Sequence, residues 1–180
     1  RITSSIVTSI PKFKKFTHEG MMKLIVTFLL LTLSLTVYAQ DKKPTTLRGV
    51  LLEQLRTTHD QKDWFVPINV AVEGLTAEQA SWTDGHGNHS VGQLTNHMLF
   101  WNTEQLARFK GETPPKYSGD NNETFNNFDA KRWSDTAHQL DQVMVAWEKA
   151  VESADEKKLQ EWASAIAHVG AHNAYHTGQI

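Results

Sequence analysis

Apolar side chains recur at steps of three and four residues along most of the chain, and this spacing limits the possible folds more than any other feature. The clearest stripe consists of Leu140, Met144, Trp147 and Val151 in the segment 135–153. Comparable stripes lie in 45–62, in 91–110, and from a start between Lys158 and Trp162 to the chain end. This spacing matches the α-helical turn, and no stretch alternates as a β-strand does. The sequence therefore predicts an all-α fold, and four main helices pack most simply as a bundle.

Local signals predict where these helices begin and end. Thr76 and Ser90 each precede a glutamine by three residues, which is the spacing of a capping box. Pro67 interrupts the first helical segment, so 68–75 is expected to be a second, kinked piece. Gly111 is expected to end the helix of 91–110. The polar segment 112–130, with two prolines, is predicted to be a long connection of the kind that serves as a lid or crossover.

Residues 21–39, MMKLIVTFLLLTLSLTVYA, have the layout of a secretory signal peptide. A lysine precedes an apolar run, and the small residues Val37 and Ala39 stand where cleavage after Ala39 requires them. The run is shorter than the roughly 20 residues of a membrane span, and a retained anchor is the alternative. We expect an exported, periplasmic or extracellular chain that begins at Gln40 and has no stable membrane anchor. Residues 1–20, before the first methionine, are expected to be a non-native upstream segment.

Size, charge and composition narrow the classes of function. Residues 40–180 suffice for one domain with one core, and the last helix has no C-terminal capping signal, so we expect the natural chain to continue. The net charge is −2 and no basic stripe is present, which argues against a nucleic-acid partner. The chain has no cysteine, so packing, helped by a metal where one binds, must stabilise it without disulfides.

Three histidines follow one another at four-residue intervals near the C-terminus: His168, His172 and His176. Four residues turn a helix by about 400°, so the last two rings point within roughly 40° of each other and can share one divalent cation. A third ligand must come from elsewhere, and His97 borders the apolar stripe of 91–110. Bundle proteins build metal sites from inward-facing residues of separate helices. The spacing alone leaves open the alternative of hydrogen-bonded core histidines.

Three segments resemble the DinB-like, or YfiT-like, family of metalloenzymes: GLTAEQASW at 74–82, HSVGQLTNHMLFWN at 89–102 and HNAYHTGQI at 172–180. The resemblance covers about residues 45–180. It implies an up-and-down four-helix bundle with a long crossover loop, and a metal site built from one histidine of the second helix and an HxxxH pair of the fourth. The ligands carried over by motif are His97, His172 and His176. The implied cofactor is a divalent cation, zinc or nickel first, because imidazole ligands do not decide its identity.

Several further residues are candidates for supporting roles. His59 and Glu104 are weak catalytic candidates, and a partly exposed polar position is the alternative for His59. His168 is expected to lie above the ligands and off the metal. Trp101 is expected to line the pocket, with core packing as a compatible alternative. Gln179, three residues after His176, is expected to orient a ligand, and Gly178 to permit close approach between helices.

Two classes of function stay open. One is a metal-dependent enzyme acting on a small-molecule substrate, either a hydrolase or a thiol S-transferase, as the resemblance implies. Export counts against the transferase, because low-molecular-weight thiols are kept reduced in the cytoplasm. The other is a non-catalytic metal-binding or stress-associated helical bundle protein. A homodimer is left open in both cases.

Overall fold

A computed structural model describes Met22 and residues 44–180, so the predicted upstream segment and the predicted cleavage site lie outside the described residues. Residues 44–180 contain helices and no strand, which confirms the predicted all-α fold. None of the described helices combines the length and hydropathy that a membrane span requires. The helices are α1 (Leu47–His59), α2 (Ile68–Ala71), α3 (Ala77–Ser81), α4 (Val91–Lys110), α5 (Asn122–Asn126), α6 (Trp133–Ser153) and α7 (Glu156–Gln179).

The helix ends follow the local signals closely. Both predicted capping boxes form, at Thr76 before α3 and at Ser90 before α4. Gly111 ends α4 with a φ of 77°, a left-handed conformation that glycine adopts without steric cost. The start of α7 was predicted too late. Asp155 caps this helix by accepting a hydrogen bond from the Lys158 backbone, so α7 begins at Glu156.

The segment 112–130 is more structured than the sequence predicts. It contains α5, and a single 3-10 turn at Ala130–Arg132 leads into α6. The segment is held against α4 at Gly92, where a Cβ atom would collide with the ring of Phe128. The connection therefore packs along α4 and brings α5 close to the middle of that helix.

The four long helices bury their predicted stripes against one another. Helix α1 contacts both α6 and α7, and α4 contacts both as well, an arrangement compatible with the predicted four-helix bundle. Trp147 of α6 is completely buried in the larger apolar cluster, and its indole Nε1 donates to the Asn102 carbonyl over 3.1 Å. A smaller cluster, formed around Met98 and Leu140, joins α4 to α6. Burial of each such side chain stabilises the fold by about 1.5–3 kcal/mol.

Candidate metal centre

The structure brings His97, His172 and His176 together, although 75 residues separate the first two. His97 lies in the second turn of α4, and the other two occupy successive turns of α7. One nitrogen from each ring lies within 4.8 Å of the other two. The closest pair is His97 Nε2 and His172 Nε2, at 3.0 Å. Three predicted ligands thus converge on one point between two helices.

Hydrogen bonds fix the outward nitrogens of two of these rings. The Thr124 hydroxyl donates to the Asn121 carbonyl over 2.6 Å, so it must accept the hydrogen bond that His97 Nδ1 donates over 2.5 Å. His176 Nδ1 donates to Gln179 Oε1 over 2.6 Å, which is the orienting contact expected of this glutamine. With a proton on each Nδ1, the Nε2 lone pairs of both rings are directed into the site, as metal ligation requires.

Burial keeps the three rings neutral. It lowers the pKa of His97 to about 3, with further lowering by the neighbouring charges of His176 and His172. Burial and then His176 lower the pKa of His172 to about 4, and burial lowers the pKa of His176 as well. Neutral imidazole is the form that binds a metal. One proton on His172 Nε2 satisfies both nitrogens of the 3.0 Å pair, and a divalent cation bound between them would take the place of that proton.

Helix α5 positions the His97 ring from a second direction. The Phe125 ring stacks on it with centroids 3.9 Å apart and planes inclined by 7°. His89 stacks on the opposite face of Phe125 at 4.0 Å. Thr124 and Phe125 were not predicted as site residues, because nothing in the sequence pattern of 112–130 relates this segment to α4.

A buried pair of amides joins α4 to α7 beside the ligands. Asn102 Nδ2 donates to Asn173 Oδ1 over 2.7 Å, and Asn173 Nδ2 donates to Asn102 Oδ1 over 3.2 Å. Both side chains are almost completely excluded from solvent. This pair was also missed, although asparagine on the inner face of a helix next to each histidine motif is a signal that could have identified it.

A cavity of about 620 Å³ opens beside the three histidines. Trp101 lies in its wall, where it was predicted, and His168 lies there as well. The other lining residues are Asn102, Gln105, Asn121, Phe125, Ala165, Val169 and Tyr175. A space of this size, adjacent to convergent polar groups, is typical of a small-molecule site.

Comparison with protein families agrees with the resemblance seen in the motifs. The family model of the DinB superfamily matches residues 68–180, which include the three convergent histidines and helices α2 to α7. The chain belongs to the DinB superfamily. Neither the curated proteins nor the solved structures give a match.

The two weak catalytic candidates do not line the cavity of this DinB superfamily chain. His59 is buried, not partly exposed, and its ring nitrogens lie 2.7 Å from Glu148 Oε1 and 2.9 Å from Asp141 Oδ1. Burial opposes the charged ring, but hydrogen bonds to Asp141 and Glu148 outweigh burial and raise the pKa of His59. It is therefore a charged link between α1 and α6.

Glu104 is buried, but its carboxylate is occupied within α4. It accepts hydrogen bonds from Arg108 and from Gln105 Nε2, and it is absent from the described lining of the cavity. The expectation for Gly178 was wrong. No described atom outside its own helix lies within 4 Å of the position that a Cβ would take there. Close approach occurs instead at Gly92 and Gly170.

Proposed function

We propose that this DinB superfamily protein is a metal-dependent enzyme that holds a divalent cation on His97, His172 and His176. The observation that carries the proposal is the convergence of three neutral imidazoles beside an open cavity. A cation held there supplies Lewis-acid chemistry, polarising a carbonyl group or increasing the acidity of water or of a thiol. Three protein ligands leave coordination positions open, as catalytic sites do.

Hydrolysis is the reaction that we favour, and proton transfer is the task left to the chain. His168 stands in the cavity wall one helical turn before His172, with an exposed side chain. No Asp or Glu occurs among the described lining residues, so we assign the proton-accepting role to His168. The proposed export supports hydrolysis over thiol S-transfer, because reduced low-molecular-weight thiols are kept in the cytoplasm.

A non-catalytic metal-binding bundle is the second candidate, and one observation favours it. The described lining contains no carboxylate that would serve as a general base, and carboxylates fill this role in many metal-dependent hydrolases. In such a protein the three histidines would bind the cation, and the cavity would hold only a passive ligand.

Metal analysis tests the site. Protein purified without added chelator is expected to carry about one divalent ion per chain by elemental analysis. A His172→Ala variant is expected to lose most of it, whereas His86→Ala, which removes an exposed loop histidine, retains it. Equal and substoichiometric metal in the wild type and in His172→Ala would eliminate the proposal.

Turnover separates the enzyme from the passive binder. The metal-loaded protein is screened against neutral esters, amides and thiol acceptors, before and after chelation. We expect ester or amide hydrolysis that chelation abolishes and that His168→Gln slows without removing the metal. Hydrolysis that persists after chelation rejects the metal mechanism. Bound metal without turnover on any substrate supports the passive binder.

A further inference from the structure

The wall of the cavity beside the three histidines carries no charged side chain among its described lining residues, apart from what a histidine ring can carry. Most of its polar side chains are already engaged in hydrogen bonds within the protein. Asn102 is paired with Asn173, and Asn121 Oδ1 accepts from Trp101 Nε1 over 3.1 Å. Gln105 Nε2 donates to Glu104 Oε2 over 2.7 Å. If a ligand binds with a negatively charged group away from the histidines, that group therefore contacts no Lys or Arg among the described lining residues.

The same wall offers a large apolar and aromatic surface. Trp101 and Tyr175 lie on opposite helices, α4 and α7, and Phe125 comes from α5. Val169 and Ala165 of α7 complete the apolar part. Aromatic rings arranged around a space of about 620 Å³ favour a flat or compact ring system over an extended polar chain.

We propose that this cavity selects uncharged, ring-containing molecules and excludes those whose ring system carries a carboxylate. The inference rests on the proposed function, since it names the substrate class of the same site: neutral esters or amides of aromatic or alicyclic compounds. Away from the histidines, a carboxylate held against this wall loses hydration and meets no Lys or Arg among the described lining residues, which is costly. Acidic peptide-like thiols are disfavoured for the same reason.

A matched pair of probes tests the selectivity in the metal-loaded protein. 4-Phenylimidazole and 4-(imidazol-4-yl)benzoate share a metal-binding imidazole and a phenyl ring, and they differ in one remote carboxylate. Calorimetric titration is expected to give a dissociation constant at least about tenfold larger for the benzoate, which corresponds to about 1.4 kcal/mol. Equal affinity, or tighter binding of the benzoate, overturns the inference.

Two lysine variants show whether the residues of the cavity wall cause the preference for uncharged ligands. Ala165 lines the cavity, and the neighbouring Ser164 is exposed and absent from the described lining. Ala165→Lys is expected to reduce the discrimination to about threefold or less, while Ser164→Lys, with the same net charge, leaves it unchanged. If both variants change the ratio equally, the preference reflects the overall charge of the protein and the inference fails.

A second binding experiment, done without metal, tests the selectivity of the cavity independently of the proposed function. Chelated protein is titrated with 4-methylbenzamide and 4-methylbenzoate, and binding is followed by saturation-transfer NMR on the ring protons. The benzamide alone is expected to show transfer, and Val169→Trp, which fills the cavity, is expected to abolish it. If elemental analysis finds no metal, the proposed function fails, yet the benzamide preference still supports the uncharged cavity. Transfer to the benzoate that equals or exceeds transfer to the benzamide overturns it.

Discussion

At the scale of the residue, one hydroxyl group decides which nitrogen of His97 faces the site. Thr124 accepts from His97 Nδ1 and donates to the Asn121 carbonyl, so its hydrogen-bonding capacity leaves one tautomer. We predict that Thr124→Val lowers zinc affinity by about 10–100-fold, as loss of a partner behind a metal ligand does. Competition with a chromophoric chelator measures the affinity. Thr124→Ser, which retains the hydroxyl, should restore it.

If the zinc affinity fell only because the variants are less stable, Thr124→Ser and Thr124→Val would lose affinity alike. Unfolding curves of both variants without metal provide the control. If Thr124→Val binds zinc as tightly as the wild type, the hydroxyl does not select the tautomer.

The three histidines could be chosen from the sequence, and so could Gln179 beside His176, but the residues that contact His97 from α5 could not. His172 and His176 are four residues apart on a helix, so their side chains point to the same side of it. Their spacing in the sequence is therefore enough to predict that they lie close together. Thr124 and Phe125 reach His97 only because the segment 112–130 folds along α4. No periodic pattern encodes that path. The close approach at Gly92 depends on the same path, so the sequence did not predict it.

A single glycine tests how that path is fixed. Gly92→Ala places a methyl group against the ring of Phe128, and overpacking of this kind costs about 1–3 kcal/mol, reduced by the better helix propensity of alanine. We therefore predict a net loss of about 1 kcal/mol in the free energy of unfolding, measured with urea. Gly178→Ala, where the space is open, should be neutral or slightly stabilising. Equal effects of both substitutions would contradict the packing argument.

At the scale of the element, the four long helices were predictable within a few residues, and α2 and α3 lie where the sequence predicted short helical pieces, but α5 was not predicted. Apolar stripes and capping boxes are local, so α4 and α6 follow from them almost directly. Helix α5 has only five residues and no stripe of its own. Its packing against α4 stabilises it, through contacts such as the hydrogen bond from Asn96 Nδ2 to the Thr124 carbonyl at 2.6 Å.

The Asn102–Asn173 pair links the two helices that carry the proposed metal ligands, so its loss should reduce both the stability of the fold and the affinity for metal. We predict that Asn102→Ala lowers the free energy of unfolding by about 1–3 kcal/mol, because the buried amide of Asn173 loses its partner. A double-mutant cycle with Asn173→Ala measures the coupling. We expect a coupling of at least about 0.5 kcal/mol, and strictly additive losses would show that the two amides act independently.

At the scale of the whole molecule, stability depends on pH in two ways, because folding lowers the pKa of some histidines and raises the pKa of another. The lowered pKa values of His97 and His172 mean that the unfolded chain takes up protons below the ordinary value of 6.5 while the folded chain does not. The metal-free fold therefore loses stability as pH falls below that value. His59 acts in the opposite sense, because the folded protein holds its proton more tightly than the unfolded chain does.

The raised pKa of His59 gives a stabilisation that is fully present below 6.5 and is lost as pH rises through the higher folded pKa. The hydrogen bond from His59 lowers the pKa of Asp141, whose contribution is present above 3.8 and is lost as pH falls through the lower folded pKa. Both contributions are therefore complete between these two ordinary values. In that window the charged ring joins the end of α1 to two carboxylates of α6.

Substitution of this histidine isolates its contribution from that of the metal ligands. We predict that His59→Gln lowers the free energy of unfolding by about 1.5–3 kcal/mol at pH 6, the range for hydrogen bonds to charged groups. The difference from the wild type should be smaller at pH 9 than at pH 6, because this stabilisation is lost as pH rises through the raised folded pKa of the ring. Urea unfolding in the presence of chelator measures both values, with the exposed His86→Gln as a control that shows neither effect. Because the metal ligands are the same in both proteins, their pH dependence cancels in the difference. A difference that stays constant between the two pH values would mean that His59 is neutral throughout and that the ion pair between α1 and α6 does not form.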